Sequence, residues 1–155
     1  MLFRSIDKAR CVVALCDVRL DEEMQLAQAQ CPELKQVLYF NDGAPGSLED
    51  ALARKPQTFD NVDTAAEDVA LIAFTSGTTG QPKGCIQYHR DVVAMCDLFP
   101  RSCLKAGPDD IFCGTPPLAF TFGLGGMLCF PMRLGASTVL MEKLTPEDQI
   151  GRAHV

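Results

Sequence analysis

Apolar residues recur along the chain in two periods, and the switching between them lays out the elements. Residues 10–16, RCVVALC, are a short β-branched apolar run that predicts a strand ended by Asp17. Asp21, Glu22 and Glu23 then open a helical stretch to about Gln30. Acids at that end suit the helix dipole, and Pro32 closes the helix. Gln36-Val37-Leu38-Tyr39-Phe40 reads as a second strand, followed by the turn signal Asn41-Asp42-Gly43. Ser47, with Asp50 three residues on, resembles a capping box for a short helix to about Arg54. The order β-α-β-α predicts an α/β fold: a mostly parallel β-sheet with flanking helices.

Residues 55–64 are polar, carry Pro56 and read as a surface connector. Val69-Ala70-Leu71-Ile72-Ala73-Phe74 has the composition of a buried strand, and residues 84–88 of a strand leaving the loop that follows it. His89-Arg90-Asp91 begins a helix in which Val92, Val93, Met95, Cys96 and Phe99 mark a buried face. Pro108-Asp109-Asp110 turns the chain into a strand over residues 111–114. Residues 115–126 mix aromatics, prolines and glycines where a strand should end. Residues 127–132 predict a buried helix, residues 137–140 a strand, and Thr145-Pro146-Glu147-Asp148 a helix start.

Composition narrows the class. With 155 residues, 47% hydrophobic and 22% charged, the chain reads as one soluble globular domain. A net charge of -6 argues against a general nucleic-acid surface. The longest apolar runs, residues 69–74 and 123–131, are too short to span a membrane. Asp7, Lys8 and Arg10 interrupt the N-terminus before any signal-peptide core, so a cytoplasmic protein is expected. Eight cysteines show no C-x-x-C pair, and only two histidines accompany them. They are read as small hydrophobes rather than zinc ligands or disulfides, and no metal site is expected.

The chemistry concentrates in Thr75-Ser76-Gly77-Thr78-Thr79-Gly80-Gln81-Pro82-Lys83-Gly84. Ten residues hold three glycines, four hydroxyls, one proline and one lysine. A strand emptying into such a loop can wrap an anion: glycines let N–H groups converge, hydroxyls donate and lysine adds charge. The plain alternative is a glycine-rich surface turn. No Gly-Lys-Ser/Thr follows at the spacing a Walker A loop needs.

TSGTTGQPKG resembles the phosphate-binding signature of the adenylate-forming (AMP-binding) enzymes: acyl- and aryl-CoA ligases, peptide-synthetase adenylation domains and luciferases. Pro117-Leu118-Ala119-Phe120-Thr121-Phe122-Gly123-Leu124-Gly125 is similar to the family's aromatic acyl-pocket motif, and FPMRLGASTVL to the helix-turn-strand after it. IDKARCVVALCD resembles the strand that precedes the loop in aryl-CoA ligases. The resemblance covers about residues 5–148, and the LAFTFGLG version looks most like benzoate- and 2-aminobenzoate-CoA ligases. It implies a partial N-terminal domain of an enzyme that takes a carboxylic acid, ATP with Mg2+, and coenzyme A. A carboxylate attacks the α-phosphorus to give acyl-adenylate and pyrophosphate, and the thiol of coenzyme A then displaces AMP. Thr75, Ser76, Thr78 and Thr79, with N–H groups of Gly77 and Gly80, would donate to β- and γ-phosphate oxygens, and Lys83 would add charge. The plain alternative for Lys83 is a solvated loop lysine. Phe120, Phe122 and Gly123 would shape the acyl pocket, against plain core packing. His89 would sit at its mouth, against a helix cap. Thr121 stands about where many family members carry histidine.

Later family motifs are absent: the tyrosine-glycine-x-threonine-glutamate segment, the ribose-binding aspartate and the C-terminal lid with its lysine. A stand-alone 155-residue chain is therefore expected to be inactive. The alternative is a non-catalytic nucleotide- or polyphosphate-binding module. The end, Ile150-Gly151-Arg152-Ala153-His154-Val155, fits neither the family nor the helix start at Thr145. A common sequencing adapter reads ATC GGA AGA GCA CAC GTC and then TGA in one frame, which encodes that hexapeptide. Its two preceding bases, AG, complete a CAG codon for Gln149. Residues 149–155 are therefore expected to be adapter read-through after a native frame ending at Asp148, with residues 1–148 the partial adenylation domain.

Overall fold

The computed structural model describes residues 2–75 and 82–141. The chain divides into two compact units, Met1–Asp63 with Phe74–Cys85, and Thr64–Ala73 with Ile86–Val155.

The first unit holds α1 (Leu2–Lys8), β1 (Val13–Asp17), α2 (Asp21–Gln30), β2 (Gln36–Phe40) and α3 (Leu48–Ala53). β1 and β2 pair in parallel, with Ala14 opposite Val37 and Cys16 opposite Tyr39. Strand alternation puts these four side chains on one face. That face meets Met24 and Ala27 of α2, which lie three apart on one helical side. Ile6, Cys31 and Leu34 complete the core. The opposite face of β1 stays open: Val13 and Leu15 are 51% and 59% exposed. α3 starts as its sequence suggests, because the buried Ser47 hydroxyl accepts from the Asp50 amide at 3.2 Å. The Asp50 carboxylate reaches back to the amide of Gly46 rather than that of Ser47, at 2.6 Å. Asn41, after β2, takes the left-handed conformation at φ 61°.

β3 (Val69–Thr75) and β4 (Lys83–Tyr88) pair with each other. Residues 76–82 are too short a link for a parallel crossover, so the two strands make a hairpin. β3 corrects the sequence reading of a buried strand, since Val69 is 51% exposed and Ile72 is exposed too. Its apolar composition is that of a strand covered on both faces, and among the described residues its partner is β4 alone.

The second unit continues with α4 (His89–Phe99), β5 (Ile111–Cys113), α5 (Thr121–Leu124), α6 (Phe130–Leu134) and β6 (Ser137–Val139). Wide π-type turns follow α4 at Pro100–Leu104 and join α5 to α6 at Gly125–Cys129. β5 and β6 pair in parallel, Ile111 opposite Ser137. Cys96, Pro100, Phe130 and Pro131 are buried, and the Phe99 and Phe130 rings lie 6.1 Å apart. Of the face expected along α4 only Cys96 is buried; Val93, Met95 and Phe99 remain exposed. Asp97 fastens α4 to α6 through two hydrogen bonds from Arg133, at 2.9 and 2.8 Å, and accepts another from Arg101 at 3.3 Å.

The strands thus form three two-stranded sheets among the described residues, two of them parallel. The α/β class holds. All eight cysteines are free thiols. Cys16, Cys31 and Cys96 act as core hydrophobes, and burial pushes each thiol's pKa up. Cys85, Cys103 and Cys113 are exposed, so the small-hydrophobe reading does not place these three in a core.

Candidate functional site

Thr75 is the last residue of β3 and is exposed at the strand end, as the loop reading requires. Ser76, Gly77, Thr78, Thr79 and Gly80 lie outside the described residues. Lys83 opens β4 with its side chain exposed, directly after the buried Pro82. The Lys8 ammonium, at the end of α1, donates to the Pro82 carbonyl at 3.0 Å. Between them lies a cavity of about 560 Å³ lined by Phe3, Arg4, Asp7, Lys8, Gln30 and Pro82. Arg4 and Lys8 give this wall two cations against one carboxylate, and the Arg4 guanidinium lies 5.9 Å from the Phe3 ring centre. Nothing in the local pattern of α1 pointed to a contact with the glycine-rich segment.

The C-terminal ends of β1 and β2 carry a closed polar network. The Asp17 carboxylate accepts from Arg19 at 3.0 and 2.7 Å and from the Asn41 amide side chain at 2.8 Å. Arg19, with help from Asn41, holds that carboxyl far below the usual aspartate range. Glu49 accepts from the Asn41 backbone at 2.8 Å, which lowers its pKa as well. A hydrogen bond to Asp21, reinforced by burial, pushes Tyr39 up to about 12. These groups are mutually satisfied and support the strand ends.

In the second unit, His89 is the first residue of α4, not its cap. Tyr88 holds the cap position, and its amide donates to the Asp91 carboxylate at 3.0 Å. The His89 amide donates to the Asp68 carbonyl at 3.1 Å, which fixes the backbone at the helix start. Phe120 and Phe122 flank the start of α5 with side chains 66% and 75% exposed, so neither packs in the core of the unit. Gly123 is buried, and a Cβ there would fall on the Pro117 carbonyl oxygen. Its small size lets α5 lie directly on the Pro116–Pro117 backbone.

Beyond the ends of β5 and β6 an apolar cavity of about 220 Å³ is lined by Gly114, Pro116, Pro117, Leu118, Met127, Leu140 and Met141. This is the end of a parallel sheet at which open α/β folds receive ligands. The cavity shares the segment singled out in the sequence, but Phe120, Phe122, Gly123 and His89 do not line it. Met127 and Leu140 come from the next helical turn and the end of β6, and their apolar runs read only as packing. The Met127 Cε lies 3.1 Å from where a Cβ of Gly114 would stand, so that glycine makes room for the methionine. Among the described residues, no three His, Cys, Asp or Glu side chains come together as a metal set. Nor is any described helix long and apolar enough to cross a membrane.

TSGTTGQPKG lies between β3 and β4, and the parallel pair β5–β6 with an apolar cavity at its end follows in an α/β domain. The chain belongs to the AMP-binding enzyme family, whose pattern matches residues 3–154. It is similar to the benzoate–CoA ligase of Thauera aromatica, 33% identical over 116 residues, which are 74% of this chain and 22% of that protein. In three dimensions it is similar to the anthranilate CoA ligase AuaEII in complex with anthranoyl-AMP. The TM-score is 0.84 at 28% identity, covering 92% of this chain and 28% of that one. ATP-bound MatB from Rhodopseudomonas palustris gives 0.79 at 29% identity, over 95% and 29% of the two chains. The chain thus spans less than a third of these relatives.

Proposed function

We propose that this chain is part of an ATP-dependent ligase that activates an aromatic carboxylic acid and passes it to coenzyme A. The observation that carries the reading is the TSGTTGQPKG segment between β3 and β4, with Thr75 and Lys83 exposed at its two ends. A carboxylate oxygen forms a bond to the α-phosphorus of ATP while the bond to pyrophosphate breaks. Charge grows on the departing pyrophosphate, and a fixed cation and hydroxyl donors lower the cost of that growth. Lys83 supplies the cation, and Thr75, Ser76, Thr78 and Thr79 supply hydroxyls. In the second step the coenzyme A sulfur bonds to the acyl carbon, the bond to AMP breaks, and the thiol proton passes to solvent.

What supports an aromatic acid is the apolar lining of the cavity beyond β5 and β6 and the names of the relatives, benzoate–CoA ligase and anthranilate CoA ligase. The exposed Phe120 and Phe122, with His89, would supply the outer wall and mouth. Gly123 would act by letting α5 approach Pro116 and Pro117. The 155-residue chain alone would be inactive, because the adenine- and magnesium-binding motifs of the family are not in it.

Carboxylate-dependent ATP–pyrophosphate exchange tests the reading, using the enzyme that carries this sequence within its flanking gene. Benzoate or 2-aminobenzoate should support exchange better than a medium-chain fatty acid, and Lys83→Ala should slow it about tenfold or more. Exchange that ignores the acid, or an unchanged rate in Lys83→Ala, would overturn the assignment. Tight ATP binding with no acid-dependent exchange would instead favour a non-catalytic nucleotide-binding module.

A further inference from the structure

Three constraints meet at the peptide between Pro82 and Lys83. The proline ring fixes φ of residue 82. The peptide group is planar, so the direction of the Pro82 carbonyl also fixes the opposite direction of the Lys83 N–H. The remaining freedom is rotation about the Cα–C bond of Pro82. The Lys8 ammonium closes it, donating to that carbonyl oxygen at 3.0 Å from a residue distant in sequence. Pro82 is buried, so the bond is partly shielded from competing water. A cationic donor also makes it one of the stronger hydrogen bonds available to a backbone carbonyl.

We propose that Lys8 is a positioning residue for Lys83: it sets the peptide plane from which the Lys83 side chain and N–H leave the end of the glycine-rich segment. The inference rests on the reading of Lys83 as a phosphate-facing cation, and it adds α1 to the machinery of that site. Asp7 and Arg4 line the same cavity as Lys8 and offset each other in charge. The effect of Lys8 therefore runs through its hydrogen bond rather than through a general positive field. Arginine can make the same bond, whereas methionine fills the same space and cannot.

The test uses the enzyme that carries this sequence within its flanking gene, labelled with nitrogen-15, as wild type, Lys8→Met and Lys8→Arg. The Lys83 amide resonance reports its peptide plane directly, and calorimetry with ATP reports the phosphate site. In Lys8→Met the Lys83 resonance should move more than other β4 amides, and ATP should bind about tenfold more weakly. Lys8→Arg should return both toward wild type. An unmoved Lys83 resonance, or an unchanged affinity in Lys8→Met, overturns the proposal. Wild-type enzyme that fails to bind ATP sinks the underlying reading of Lys83, and the positioning role falls with it. Lys8→Leu, which also lacks a donor, provides the same comparison should Lys8→Met unfold.

Discussion

Gly123→Ala should destabilise the protein, although the same change inside most helices stabilises it. Alanine in place of glycine in a helix gains about 0.5–1 kcal/mol, chiefly because the unfolded chain loses freedom. At Gly123 the new methyl would fall on the Pro117 carbonyl oxygen, 2.5 Å from its carbon and 2.7 Å from the Pro116 oxygen. Comfortable separations between heavy atoms are about 3.5–4.0 Å, so something must move by roughly 1 Å. The obstacle is backbone at two successive prolines, whose fixed φ leaves little room to swing. The Pro117 oxygen also accepts from the Phe120 amide at 3.1 Å, and that bond would be strained. Overpacking of this kind costs about 1–3 kcal/mol, which exceeds the helix gain. Net of the helix gain this leaves about 0–2.5 kcal/mol, and for a chain of this size the melting temperature should fall by up to roughly 10 °C. Gly126→Ala is the matched control, since nothing lies within 4 Å of its Cβ. It should be neutral or stabilising by up to about 1 kcal/mol. Urea denaturation followed by circular dichroism compares both with wild type. A Gly123→Ala midpoint at or above wild type would refute the close approach of α5 to residues 116–117.

Two further predictions concern titration. Tyr39, pushed up to about 12 chiefly by its hydrogen bond to Asp21, should ionise late in an alkaline titration. A raised pKa favours the neutral form in the fold, so this contribution to stability is complete below about pH 10 and lost as pH rises through about 12. Asp21→Asn should bring the later step of an ultraviolet tyrosinate titration down; no movement would remove the assigned cause. Asp97 is depressed mainly by Arg133. Its contribution is therefore present above about pH 4 and lost as pH falls through the lower folded value. In a carboxyl NMR titration Arg133→Ala should raise the Asp97 midpoint more than Arg101→Ala, because Arg133 makes two short bonds and Arg101 one of 3.3 Å. The reverse order would contradict this geometry.

The elements that sequence located well are those with local causes. β2 and α2 fall where predicted, since a run of apolar β-formers and an acidic first turn are decided within a few residues. The Ser47 cap is likewise a contact three residues long. What failed was the assignment of burial. Periodicity says which residues share a face, not whether anything covers it. Val93, Met95 and Phe99 do sit along α4 at helical spacing, yet only Cys96 is buried. β3 has the composition of a strand covered on both sides and is exposed. The family was legible for the same local reason that caps were: TSGTTGQPKG carries its glycines, hydroxyls and lysine in one run.

Contacts made at long range were the illegible part, and they decide how that chemistry is held. The lining of the apolar cavity joins Gly114 and Pro116 to Met127 and Leu140, residues that become neighbours only once β5 and β6 pair in register. The exposed Phe120 and Phe122 are conspicuous in the sequence, and the cavity is nonetheless built by their plainer neighbours. A methionine in an apolar run or a lysine at a helix end has no local signature of function, because such residues usually pack or solvate. Lys8 and Met127 acquire their roles from what the fold places opposite them: a buried proline carbonyl in one case, a glycine with no side chain in the other. The motif therefore names the groups proposed for the chemistry, while the residues packed against its ends are singled out only by the folded backbone.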